Sequence, residues 1–289
     1  MKQDLVASSY DIVVAGGGIT GAGVFHEAVK RGYRTLLVEA RDFAWGTSGR
    51  SSKMVHGGLR YLKQGKFRLT KAAVKEREQL LNRYAGLVTP LHFVMPLFDE
   101  YGPSLSAMKF GLSLYSFMAK QKQHCIYSRK QTQALLPFAN QNGLVSAVGF
   151  KDAQVDDARL VLRLIEVACR MGGDALNYTR LDSIKRDAKG KLAAVKIIDG
   201  SNGDPVEVPT RVLINATGPF AETLHPSPVK GYHIRQLRGS HLIFPAEKCP
   251  TDSVISFFHP DDHRPVFLFP WEGRAVLGTT DVDHDQDMN

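Results

Sequence analysis

The sequence predicts an α/β fold, and three observations predict it. Tyr10-Asp11-Ile12-Val13-Val14-Ala15 is a short apolar run ending in Gly16-Gly17-Gly18, the pattern of a buried parallel strand entering a tight turn. Helical spacing over residues 21–30 stops at Gly32, and Thr35-Leu36-Leu37-Val38 forms a second buried strand closed by Glu39, so the opening is a β-α-β unit. Farther on, alternating segments at residues 176–185 and 192–198, with turns at Lys189-Gly190 and Asn202-Gly203-Asp204, predict an antiparallel meander. It returns through a buried strand at residues 211–216 into Thr217-Gly218-Pro219.

The elements between these follow in order. A Gly- and Ser-rich loop at residues 44–58 is too long for a simple connector, a length that signals function in a compact domain. A polar helix over residues 67–84 carries Leu69, Ala73, Leu80 and Leu81 on one side. Residues 86–150, with Pro90, Pro96 and Pro103, an apolar helix at 104–120 and a strand-like stretch at 143–150, break the alternation and read as an insertion. Asp156 is the expected N-cap of the next helix, Asp157 places a carboxylate in its first turn, and Gly172-Gly173 ends it. Residues 231–281 read as strands and turns, including 266–270 and 275–278. The predicted domains are discontinuous: residues 1–85 with 151–225, and residues 86–150 with 226–289.

Composition narrows the class. With 289 residues, 43% of them hydrophobic, the chain can bury one large core or two moderate ones. Cys125, Cys169 and Cys249 are widely spaced and odd in number, which suggests neither a disulfide framework nor a zinc site; buried, inert thiols are expected. No signal peptide opens the chain and no apolar run of membrane-spanning length occurs, so a soluble or peripheral protein is expected. The formal charge of +8 favours anionic partners: phosphorylated metabolites, acidic lipid headgroups or nucleic acid. The basic residues are scattered and no nucleic-acid motif is present, which argues against the last. Aspartates from Asp281 to Asp287 do not have EF-hand spacing, and no metal is expected.

The glycine turn carries the chemistry. Gly16 permits the turn, Gly18 lets the backbone approach a pyrophosphate, and Gly21 lets the helix lie close to the strand, so a Rossmann-like dinucleotide-binding domain is predicted. The amides around Gly18, Ile19 and Thr20 open a helix whose positive end faces the phosphates. Glu39, followed by Ala40, can accept hydrogen bonds from a ribose diol, and its charge would repel a 2′-phosphate, which argues against NADP. Phe25 stands where a small residue commonly packs on the sheet, so the helix is expected slightly farther out.

The fingerprint alone does not separate FAD from NAD. The loop after the second strand, from Gly46-Thr47-Ser48 through Ser51-Ser52-Lys53 to His56-Gly57-Gly58-Leu59-Arg60-Tyr61, is dense in hydroxyls, glycines and cations. It can wrap a diphosphate and pass under a flat ring. Here the chain resembles the bacterial aerobic glycerol-3-phosphate dehydrogenases of the D-amino-acid-oxidase-like flavoprotein superfamily. The likeness continues through Phe67-Arg68-Leu69, Glu76-Arg77-Glu78, residues 155–162, Asn215-Ala216-Thr217-Gly218-Pro219, Gly239-Ser240-His241 and Gly278-Thr279-Thr280-Asp281, and is weaker over 86–150.

That resemblance implies an FAD-binding domain with a mixed sheet and an α+β substrate, or cap, domain with antiparallel strands. It implies oxidation of sn-glycerol 3-phosphate to dihydroxyacetone phosphate, hydride to the flavin and electrons onward to a quinone. Arg60 and Tyr61 would hold the substrate phosphate, and His241 would be the general base. Thr47, Ser48, Ser52 and Lys53 would lie near the diphosphate, and His56, Gly57, Gly58 and Leu59 near the flavin. Ala216, Thr217 and Gly218 would approach the adenosine. The resemblance also implies a cytoplasmic protein, peripheral on the inner membrane, and a chain that stops at Asn289 before the family's later segments. The apolar helix at 104–120 is open to two readings, burial in the substrate domain or contact with a membrane surface. An amine or amino-acid oxidase of the same superfamily and a non-catalytic flavin-binding fragment remain open alternatives. A homodimer is among the assemblies the sequence leaves open.

Overall fold

The computed structural model describes residues 9–100, 102–118, 124–200, 203, 205–224, 231, 233–248, 251–259 and 261–284, apart from the side chains of Arg60 and Lys63. Strand β1 (Tyr10–Ala15), helix α1 (Ile19–Lys30) and β2 (Thr35–Val38) come first. A 3-10 turn (Thr47–Gly49), β3 (Met54–Val55), α2 (Leu59–Lys63), α3 (Phe67–Arg83), β4 (Val88–Phe98), α4 (Leu105–Met118), β5 (His124–Tyr127), α5 (Arg129–Leu135) and β6 (Leu144–Val155) follow. Then come α6 (Asp157–Arg170), β7 (Asp174–Leu176), β8 (Thr179–Arg186), β9 (Leu192–Asp199) and β10 (Pro205–Asn215). The chain ends in β11 (Leu237–Arg238), β12 (His241–Pro245), β13 (Val254–Phe258), β14 (Pro265–Trp271), β15 (Arg274–Gly278) and β16 (Val282–Asp283).

The chain divides into two units, residues 1–51 with 156–236 and residues 52–155 with 237–289. These boundaries correct the predicted ones: residues 52–85 and 151–155 fall in the second unit and 226–236 in the first. Pairing is the reason, because β3 runs antiparallel to β6 in the second unit's sheet.

The first unit is built on a six-stranded mixed sheet of order β7-β2-β1-β10-β9-β8. β7, β2, β1 and β10 are parallel, and β10-β9-β8 form the expected antiparallel meander. The strand period of two separates the faces. Val13, Ala15, Leu36 and Val38 pack against Leu181, Val195, Ile197 and Val208, whereas Val14 and Leu37 pack against α1 and α6. α6 begins as expected, with the Asp156 side chain accepting from the Arg159 amide, and buries Leu160, Val161, Ile165 and Ala168. β10 departs from expectation: its C-terminal half is only partly buried, with Val212 45% exposed. Phe25 is fully buried. Room for it comes from Gly173, where a Cβ would lie 2.7 Å from the Phe25 ring. Gly21 meanwhile approaches the Gly16 carbonyl so closely that any Cβ there would collide with it. The bulky residue is thus accommodated at the far end of the helix, and the first turn stays against the strand.

The second unit centres on an eight-stranded sheet of order β12-β15-β14-β13-β4-β6-β3, with β5 also on β6. The stretch read as an insertion supplies its two longest strands, β4 and β6, paired over Val88–Phe98 and Leu144–Val155. Prolines hid β4 from the sequence reading. Pro90 and Pro96 lie outside the two residues, Phe93 and Val94, where β13 pairs with β4, so one flank makes no ladder bonds at either proline. Phe93, Met95 and Leu97 join Val148, Phe150 and Phe269 on one face, and Val94, Ala147 and Ile255 pack on the other.

Other expectations need correction. In α3 the buried face is Thr70, Val74 and Arg77, while Leu69 is 45% exposed. Helix α4 buries Leu112 and Tyr115 but exposes Phe110 and Phe117. Among the described residues no helix is long and apolar enough to cross a membrane. Cys125, on a strand paired only to β6, and Cys169, in the last turn of α6, are exposed thiols rather than buried ones. Cys249, Asn202, Asp204 and Asp287 lie outside the described residues.

Candidate functional site

In the first unit the glycine turn is packed too closely for side chains of its own at Gly16, Gly17 and Gly21. Gly16 has φ +108°, and a Cβ on it would collide with the Ala216 carbonyl, so this position needs glycine on two counts. Ala216 N donates to Ala15 O at 2.8 Å, which brings the end of β10 beside the turn. α1 starts at an N-cap, Gly18, with no side-chain cap and no acidic residue in its first turn. The first-turn amides of a helix have no intrahelical partner, which suits this end to an anion. Ser48 stands at this opening: its Oγ accepts from Ile19 N at 2.9 Å and would lie 3.0 Å from a Cβ on Gly18. Ile19 and Thr20 are exposed.

Glu39 reaches back to the same turn. Its Oε2 accepts from Gly17 N at 2.7 Å and its Oε1 from Arg41 N at 2.8 Å. Each carboxylate oxygen retains a lone pair for a ribose hydroxyl. Thr47 and Ala40 are exposed nearby in sequence. Asn215 shapes the turn after β10, accepting from Thr217 Oγ1 at 2.7 Å and donating to Ala221 O at 2.7 Å, with Gly218 at φ +59°. These are the features a dinucleotide requires: backbone donors, a glycine surface and one carboxylate. Two others escaped the sequence reading. The guanidinium groups of Arg41 and Arg50 lie 3.9 and 4.4 Å from the centroid of the Trp45 ring. Asp157, besides its place in the first turn of α6, accepts from Ser51 Oγ at 2.6 Å.

The second unit holds the candidate base. His241 starts β12, and its Nε2 lies 2.9 Å from Ser52 Oγ. Across the strand pair it faces Gly278, where a Cβ would lie 2.5 Å from the imidazole, so glycine leaves space for the ring. Burial lowers the His241 pKa below its ordinary value and Lys53 lowers it further, so the ring is neutral and able to accept a proton at neutral pH. Lys53 itself lies over the Trp271 ring at 5.7 Å. Ser52 and Lys53, expected at the diphosphate, thus stand beside the imidazole in this unit.

His56, Gly57 and Gly58 form a second turn. Gly57 N donates to both oxygens of Asp152, at 2.9 and 3.2 Å, and a Cβ on Gly57 would collide with the Tyr115 hydroxyl. Gly58 has φ +86° and caps α2, where Leu59 is half-buried and Tyr61 is 38% exposed. Arg60 occupies the same helix, and its side chain lies outside the described residues. Behind the turn, Arg77 donates to Asp152 at 2.9 Å and to Tyr115 at 2.7 Å. Glu76-Arg77-Glu78 stood out in the sequence; Asp152 carried no signal. Among the described residues no group of three or more His, Cys, Asp or Glu converges as a metal site would require.

The family described as FAD dependent oxidoreductase matches residues 11–289. An aerobic glycerol-3-phosphate dehydrogenase of Staphylococcus haemolyticus is 33% identical over 292 residues, covering 99% of this chain and 52% of its own length. The chain thus spans about half the length of the curated relatives it matches. The structure of a glycerol-3-phosphate dehydrogenase from Bacillus halodurans complexed with FAD superimposes with a TM-score of 0.78 at 30% identity, covering 98% of this chain and 50% of that one. An L-proline dehydrogenase from P. horikoshii shares the fold, with a TM-score of 0.74 at 17% identity over 98% of this chain and 72% of its own.

Proposed function

The chain belongs to the FAD-dependent oxidoreductase family, and from that membership we propose that it serves the oxidation of sn-glycerol 3-phosphate to dihydroxyacetone phosphate, with a quinone taking the electrons onward. The observation that carries the reading is the bond from Gly17 N to Glu39 at the glycine turn. It supports a dinucleotide with an unphosphorylated ribose. The choice of substrate rests on the 33% identity to the Staphylococcus haemolyticus enzyme.

Gly16, Gly18, Ile19, Thr20 and Gly21 would hold the pyrophosphate at the head of α1, with Thr47 and Ser48 beside it. Glu39 and Ala40 would take the ribose, and Ala216, Thr217 and Gly218 the adenosine. His56, Gly57, Gly58 and Leu59 would present backbone to the ring system, and Ser52 and Lys53, expected at the diphosphate, would serve the base. Bound FAD supplies the acceptor for the hydride. Arg60 and Tyr61 hold the substrate phosphate. His241 accepts the proton of the C2 hydroxyl, directly or through the Ser52 hydroxyl, as the hydride leaves the same carbon. One proton and one hydride depart, and the alcohol becomes a ketone. Peripheral attachment to the cytoplasmic face of the inner membrane and assembly as a homodimer complete the proposal.

The test is the visible spectrum of the purified, FAD-loaded chain before and after anaerobic glycerol 3-phosphate, with sarcosine and D-amino acids in parallel. Bleaching by glycerol 3-phosphate alone is the expected result. Bleaching by the amines instead identifies an amine or amino-acid oxidase, which the likeness to the P. horikoshii fold accommodates. A yellow protein that none of them bleaches identifies a non-catalytic flavin-binding fragment.

A further inference from the structure

The second unit buries charge where its sheet would accept apolar side chains. Arg77 is 1% exposed, Asp152 4% and Tyr115 1%. Arg77 Nη1 donates to Asp152 Oδ1, to Tyr115 Oη and, at 3.3 Å, to Lys151 O, while its Nη2 donates to Glu78 at 2.6 Å. Asp152 accepts from Gly57 N through both oxygens, and its Oδ2 lies 3.5 Å from His56 Nδ1. One carboxylate therefore ties α3 and β6 to the backbone of the His56–Gly58 turn.

A buried ion pair is weak evidence of stabilisation, since apolar residues of similar volume often do as well or better. The geometry points beyond stability. Gly57 is walled by Tyr115 on the side where a Cβ would project, and the Asp152 oxygens fix its amide on another, so the peptide has little freedom. We propose that the Arg77–Asp152 pair is a positioning device for the Gly57 backbone and, through it, for the His56–Leu59 segment. Arg77 and Asp152 are buried and act through the turn. The proposal rests on the functional reading for the flavin's place beside this segment; the Asp152–Gly57 link itself does not.

The experiment compares the wild-type, FAD-loaded full chain with Asp152→Asn, Arg77→Lys and a surface control, Lys185→Ala. Amide hydrogen exchange is followed over residues 55–60, and flavin reduction by glycerol 3-phosphate is followed anaerobically. In Asp152→Asn, exchange at Gly57 is expected to quicken by roughly tenfold or more as local opening becomes easier. The limiting rate of flavin reduction should fall about tenfold while the apparent substrate affinity changes less than about twofold, the split expected of misplaced reacting groups. Arg77→Lys keeps the charge but loses the fork, so its effects should be in the same direction and smaller. Unchanged exchange at Gly57 in Asp152→Asn overturns the proposal, as does a loss confined to substrate affinity. If Asp152→Asn does not fold, Asp152→Glu, which displaces the carboxylate by one methylene, is read by the same two measures. A wild-type flavin that glycerol 3-phosphate never bleaches defeats the functional reading, and the exchange measurement still decides the link.

Discussion

The two glycine turns of this chain are held in different ways. At Gly16–Gly21 most of the constraint is near in sequence: close approach of Gly21 to the Gly16 carbonyl, φ +108° at Gly16, and the Glu39 carboxylate just past the next strand, with the Ala216 carbonyl added from farther along the chain. At Gly57–Gly58 the amide is held by Asp152, 95 residues on, which is itself held by the buried guanidinium of Arg77. A turn of the first kind is specified largely by its own β-α-β segment. One of the second kind exists only after a whole sheet has formed around a buried charge.

Substitutions can break or sharpen that contrast. The largest stability effect is expected from Arg77→Ala, which strands Asp152 as a buried charge and should cost about 3–5 kcal/mol in denaturant unfolding of the FAD-loaded chain. The largest rate effect should come from His241→Asn, which removes the proposed base and should slow flavin reduction roughly 10²–10⁴-fold. Because burial, and then Lys53, lowers the His241 pKa, the wild-type rate should hold as pH falls through the ordinary imidazole value of about 6.5 and drop only below it, a limb the variant lacks. The same depression means that the unfolded chain takes up this proton first, so His241 makes the fold less stable as pH drops below about 6.5. Gly21→Ala drives a methyl into the Gly16 carbonyl and should cost about 1–3 kcal/mol with loss of flavin retention. A cost above that of Arg77→Ala would overturn the contrast. The smallest effect is expected for Asp156→Ala, which removes an ordinary helix cap at about 1 kcal/mol, measured by thermal unfolding.

The same contrast explains what could be read from the sequence. β1, α1 and β2 were legible because a short apolar run, three glycines and Glu39 each have a local meaning, and Asp156 was legible because a cap acts within one turn. β4 was not, because Pro90 and Pro96 mimic a loop until one knows where β13 stops pairing. Nor was the buried face of α3, since Leu69 looks like core and Arg77 like surface until Asp152 is placed against it. His241 stood out by its neighbours in the sequence, but its contact with Ser52 spans 189 residues. No spacing rule reaches that far.

Phe25 and Gly173 form a pair in which bulk at one position requires its absence at the other. Neither site can drift alone: a side chain at 173 strikes the aromatic ring, and a small residue at 25 opens a void behind the helix. A Cβ at 173 would also lie 2.6 Å from Val29 Cγ2, so homologues with smaller residues at both 25 and 29 are the ones free to carry it, and column 173 of a family alignment should covary with both although 148 places separate it from the first.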